Sequence, residues 1–100
     1  MRICRVVGKA QATVKHPSLE GTRLLAVRDL DGNGKATGTP YLAVDATGAG
    51  SGEVVAVVTG SAAARVLPDR DSAVDASIVA ILDLIFIDGK EAYTRKEEKS

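Results

Sequence analysis

Thiols, imidazoles and aromatic rings are scarce in this chain of 100 residues, which has one cysteine, one histidine, two tyrosines, one phenylalanine and no tryptophan. Cys4 alone makes neither an internal disulfide nor a Cys-x-x-Cys pair, which argues against a secreted disulfide scaffold or structural zinc site and fits a reducing cytoplasm. His16 has no second imidazole beside it, and no clear base accompanies Cys4 for nucleophilic chemistry. Tyr41, Phe86 and Tyr93 are too few for a base-stacking platform. Charge of one sign is missing as well: 13 Lys and Arg balance 13 Asp and Glu, so no basic stripe marks a nucleic-acid footprint. No apolar run approaches the roughly 20 residues of a membrane helix, and Arg5 and Lys9 interrupt the start where a secretory signal needs an unbroken apolar core. The expectation is a soluble, unprocessed protein with no cofactor, no metal, no membrane contact and no nucleic acid.

With 45% apolar residues, the chain is expected to form one small domain over residues 1–95, followed by a charged, frayed tail at 96–100. Such a length is near the lower limit for an independent core, so help from partner subunits is considered early. Lys9–Lys15 alternates, with Ala10, Ala12 and Val14 on one side, and reads as a first strand. Pro17 and Gly21 break the pattern, and Thr22–Val27 forms a second strand. Asp29–Pro40 reads as a surface turn, Tyr41–Ala46 as a third strand and Glu53–Gly60 as a fourth. Ser61 is a plausible N-cap for about two turns of helix over Gly60–Leu67. Ala76–Ile87 reads as one long strand with Asp83 unexpectedly in its middle, and Asp88-Gly89 is a hairpin signal before a last strand, Glu91–Arg95.

This order predicts a mostly β chain: a small antiparallel barrel, similar to an oligonucleotide-binding fold, with one short helix. Two strands are apolar on both faces, Val54, Ala56 and Val58 against Val55 and Val57, and Ile78 to Phe86 against Val79 to Ile87. A small barrel buries one face of each strand, so subunit contacts are expected to cover the other.

Several stretches imitate sites. Asp45–Val55, DATGAGSGEVV, has the glycine spacing of a phosphate cradle, but a β-branched strand follows where such a cradle needs a helix. The alternative is a tight connection whose glycines supply positive φ or close approach. Asp29, Asp31, Asn33 and Gly34 match the first half of a calcium loop, yet Pro40 stands where the bidentate glutamate belongs. Asp45, Glu53, Asp75 and Asp83 could pair as acid and base, but no spacing in the sequence brings two of them together.

Four segments in order, MRICRVVGKAQATVKHPSLEGTRLLAV, VDATGAGSGEVV, TGSAAARVL and AVDASIVAILD, resemble the bacterial microcompartment vertex proteins of carboxysomes and of ethanolamine and propanediol compartments. The resemblance implies a non-enzymatic β-barrel subunit that forms a pentamer, closes the five-fold vertices of a polyhedral shell and docks on hexameric shell proteins. Carried over, Asp45, Gly48, Gly50, Gly52 and Glu53 form the glycine motif, Gly60 and Ser61 open the helix, and Val74 and Asp75 lead the long strand; these are expected to shape subunit contacts. The family arginine after Gly-Ser-x-Ala is Ala64 here, with Arg65 one place later, a rotation of about 100° on a helix. Arg23, Lys35, Arg70 and Asp71 are candidate rim contacts to hexamers. The competing expectations are a barrel that binds single-stranded nucleic acid or another ligand and a nucleotide-binding enzyme.

Overall fold

Inward-facing Cys4 and Val6 place the first strand, β1 (Arg2–Ala10), seven residues before the expected start. The structure, a computed structural model, describes residues 1–13, 15–67 and 74–95. β1 is followed by a 3-10 turn at Pro17–Leu19, then β2 (Arg23–Leu30), β3 (Ala36–Asp45), β4 (Val54–Thr59), a 3-10 helix at Gly60–Val66, β5 (Ala76–Ile81), β6 (Leu84–Ile87) and β7 (Lys90–Thr94). Strands β1 to β5 close into a barrel in the order β1-β2-β3-β5-β4, and β6 and β7 form a separate hairpin. Every barrel pairing is antiparallel except β3 with β5, which run parallel through Val44 opposite Ser77 and Asp45 opposite Ile78.

The barrel interior is small and is filled by small side chains: Cys4, Val6, Leu25, Val27, Ala43, Ala49, Val55, Val57, Ala76 and Ile78, with Tyr41 and Ile81 packed against them. This is the filling expected of a closed barrel with few strands. The mostly β barrel with one short helix is therefore as anticipated.

Four local expectations are corrected. Of the alternation at Lys9–Lys15 only Lys9 and Ala10 are strand, as the end of β1: Gln11, Ala12, Thr13 and Lys15 are outside it and exposed, and Val14 lies outside the described residues. β1 instead has two partners, β2 on one side and β4 on the other, and Arg5, on the outward position between Cys4 and Val6, obscured that pattern. The turn between β2 and β3 shrinks to about five residues, because Asp31 Oδ1 accepts the Asn33 and Lys35 N–H groups at 2.8 and 3.0 Å and closes it. The short helix is a 3-10 helix entered from Thr59, Gly60 turns into it with φ +76°, and Ser61 is exposed rather than capping. Ala76–Ile87 is broken at Leu82 and Asp83, where the chain leaves the barrel: Asp83 O accepts the Arg95 N–H at 2.8 Å and starts the hairpin. The expected tail at 96–100 lies outside the described residues.

The expectation about two-sided strands divides. On β4 the second face is already covered within one chain, with Val54 0% and Ala56 6% exposed, and the 3-10 helix packs on β4 and β5. Beyond the break, Leu84, Phe86 and Ile87 stay exposed.

A glycine loop filled by its own carboxylates

The chain from Asp45 to Glu53 crosses from the end of β3 to the start of β4, and Ala49 at its middle enters the core with no exposed surface. The backbone there cannot join a ladder, so its N–H groups need other partners. Asp45 supplies most of them. Its Oδ1 accepts the Thr47 N–H at 2.9 Å and the Thr47 hydroxyl at 2.6 Å; its Oδ2 accepts the Gly48 N–H at 3.1 Å, the Ala49 N–H at 3.0 Å and Arg23 Nη2 at 2.9 Å. Arg23 also donates to Ala49 O. Burial pushes the Asp45 carboxyl up, but the Thr47 hydroxyl and N–H, Arg23 and the Ala49 N–H outweigh it and hold the group below the usual carboxylate range.

Glu53 performs the same service at the other end. Its Oε1 accepts the Gly50 N–H, and Oε2 lies 2.6 Å from Arg95 Nη2 as a close ion pair outside hydrogen-bond alignment. The loop is then stitched to β1: Gly52 N–H donates to Val6 O at 2.8 Å, Val6 N–H to Glu53 O at 2.9 Å, and Arg5 Nη1 to Gly52 O at 2.7 Å.

The phosphate-cradle resemblance thus has a physical resolution. The N–H groups of Thr47, Gly48, Ala49 and Gly50 are the donors a phosphate would use, and two carboxylates of the same chain occupy them. Positive φ is needed at Gly48 and Gly52, +87° and +85°. Gly50 is different: its φ is ordinary, and an added Cβ would sit 3.3 Å from Glu53 Oε1.

The motif residues divide into two groups. Asp45, Gly48, Gly50, Gly52 and Glu53 share this loop. Gly60, Val74 and Asp75 meet at the start of β5, where the Gly60 N–H donates to Asp75 O at 2.8 Å; Val74 is half-buried, while Asp75, Ser61 and Arg65 are exposed. The parallel pairing of Asp45 with Ile78 brings the two groups to the same stretch of β5. Of the four candidate rim residues, Arg23 is engaged by Asp45, Lys35 is exposed, and Arg70 and Asp71 lie outside the described residues.

A second polar cluster escaped the sequence. Asp29 on β2 accepts Tyr41 Oη from β3 at 2.8 Å, Cys4 Sγ from β1 at 3.3 Å and Arg2 Nη1 at 2.9 Å. The Tyr41 hydroxyl, ahead of the other contacts, holds the Asp29 carboxyl low. Burial drives the Cys4 thiol up to about 11, so it is a neutral packing group rather than a nucleophile. Asp29 and Asp31 therefore serve different partners and do not converge as calcium ligands. Among the described residues no group of three or more His, Cys, Asp or Glu side chains is arranged to hold a metal. Nothing in the spacing of Arg2, Cys4, Asp29 and Tyr41 announces this cluster, since it is assembled by strand register alone.

Comparison with known proteins places this architecture among relatives. The family described as ethanolamine utilisation protein EutN/carboxysome matches residues 1–83. The chain is 37% identical over 97 residues to the carboxysome shell vertex protein CcmL of Synechococcus elongatus, covering 97% of this chain and 98% of that protein. The solved structure of CcmL from Gloeobacter violaceus superposes with a TM-score of 0.89 at 33% identity, over 97% of this chain and all of the other. A pentameric microcompartment shell protein, GrpN from Rhodospirillum rubrum, superposes with a TM-score of 0.78 at 37% identity, over 87% of this chain and 99% of that one.

Proposed function

The chain belongs to the EutN/carboxysome family, and from that premise we propose that it is a structural shell subunit whose pentamers close the five-fold vertices of a bacterial microcompartment. The observation that carries this is the family match over residues 1–83, together with a solved relative that is itself a pentameric shell protein. The geometry is suited to such work. A closed ring repeats one heterologous contact five times, so small errors of shape accumulate unless each subunit is stiff. Buried Asp45 supplies that stiffness by tying the crossing from β3 to β4 to fixed donors.

The role is structural rather than catalytic. The loop that most resembled a ligand site has its donors satisfied internally, and Cys4 is held neutral. Asp45 and Glu53 shape the loop from inside, while Ser61 and Arg65, in the first and last turns of the 3-10 helix, and Asp75, just before β5, are exposed and available to a neighbouring subunit. Hexameric shell proteins are the partners that a vertex pentamer would meet at its rim. The nucleic-acid alternative loses support from the zero formal net charge and the three aromatic residues.

Co-expression with hexameric shell proteins tests the proposal. Closed polyhedra are expected when this chain is present and open sheets or tubes when it is omitted; identical shells in both cases would refute it.

A further inference from the structure

The family match stops at residue 83, one residue before β6. The β6–β7 hairpin lies beyond that stretch and outside the closed barrel, although the alignment to CcmL continues through it, and it carries three of the eight exposed large apolar residues among the described residues. Leu84, Phe86 and Ile87 are 48%, 61% and 49% exposed on a strand of four residues. A two-stranded sheet is marginal in water by itself, and large apolar side chains grouped this closely usually mark a contact surface. The chain's own barrel does not supply the cover: an open cleft separates Gly50, Gly52 and Glu53 from Ala92, Tyr93 and Thr94.

What holds the hairpin is polar. The Arg95 N–H donates to Asp83 O at 2.8 Å, and the Arg95 guanidinium spans Asp83 Oδ1 at 3.2 Å and Glu53 Oε2 at 2.6 Å. The arm is thus tied to the glycine loop by polar contacts, while Leu84 lines the open cleft between them and Phe86 and Ile87 stay exposed.

Resting on the pentamer reading, we propose that the β6–β7 hairpin is an inter-subunit arm whose Leu84, Phe86 and Ile87 pack on the adjacent copy of this chain in the ring. A cyclic ring joins unlike surfaces, so each copy presents one patch and receives another. Five of the eight exposed large apolar residues among the described residues fall into two such groups. Apart from the hairpin group there is a barrel group, in which Leu42 of β3 pairs with Ala26 of β2, Ala26 pairs with Gly8 of β1, and Val7 lies at the adjoining register shift. Permanent subunit contacts are apolar at their centre, and an arm fixed by its own barrel loses little freedom on docking.

Phe86→Cys tests this in the assembled protein, since the native Cys4 is buried. In the intact ring the new thiol is expected to react with a disulfide reagent at least tenfold more slowly than in the urea-unfolded chain. Leu84→Ser with Phe86→Ser is expected to raise the concentration at which the ring dissociates at least tenfold, with far-ultraviolet circular dichroism unchanged. An intact ring whose Phe86→Cys thiol reacts at the unfolded rate overturns the arm alone, as does an unchanged dissociation midpoint for the serine pair. A wild-type chain that is monomeric overturns the pentamer reading and the arm with it.

Discussion

Replacing Asp45 separates a loop held by a carboxylate from a loop held by packing. Asp45→Ala removes the acceptor for three backbone N–H groups, one hydroxyl and one guanidinium, and the Ala49 N–H among them is fully buried. Each hydrogen bond to a charged group contributes about 1.5–3 kcal/mol, and an orphaned buried donor costs about 1–3 kcal/mol. Partial access of water at Thr47 and Gly48 reduces the total, so a loss of about 4 kcal/mol is expected. Asp45→Asn keeps the shape and one acceptor. Its best orientation leaves oxygen at the Oδ2 position, facing Gly48, Ala49 and Arg23, and turns the amide toward Thr47, where the hydroxyl can accept but the N–H is left facing another donor. One bond and the negative charge are lost, for about 2 kcal/mol. Urea unfolding at one fixed protomer concentration measures both, since the stability of an oligomer depends on concentration. An Asp45→Asn variant within about 0.5 kcal/mol of wild type, or an alanine variant no worse than the asparagine one, would refute the reasoning.

Acid should act through the same group. Asp45 and Asp29 both sit below their unfolded value of about 3.9, so the unfolded chain takes up protons first. Their contribution is complete above that value and drains as pH falls through the lower folded values, and Asp45→Asn should flatten the loss measured by unfolding below about pH 4. Gly52→Ala should cost about 1–2 kcal/mol from its positive φ, whereas Gly50→Ala asks only that the Glu53 carboxylate shift slightly; equal thermal-melt losses would contradict the assignment. Native Cys4 should resist a disulfide reagent at pH 8, where about one thiol in a thousand is ionised, and react promptly once the chain is unfolded.

Much of the fold was legible because β2 and β4 in the barrel and the Asp88-Gly89 turn of the hairpin carry strong local signals, apolar and β-branched runs and a dipeptide suited to positive φ. β1 was misplaced because its inward residues, Cys4 and Val6, are separated by Arg5, while a weaker alternation running past its end at Ala10 had the right period and no partner strand there. The break at Asp83 was visible only as an anomaly. Its cause, Arg95, lies 12 residues away and meets it through hairpin register. The strand expected after the glycine loop is there as β4, in place of the helix a nucleotide cradle needs. That the loop's donors are used by Asp45 and Glu53 could not be read from spacing, since a carboxylate beside a glycine run fits equally a ligand, a cap or a surface charge. The Asp29 cluster left no trace at all, because its four members come from three strands.

The most direct test of the account is the native mass of the purified chain in solution, from native mass spectrometry with light scattering at micromolar concentration. Five copies of the 10.4 kDa chain in one closed particle are predicted; a stable monomer, or a ring of any other number, would contradict the vertex assignment.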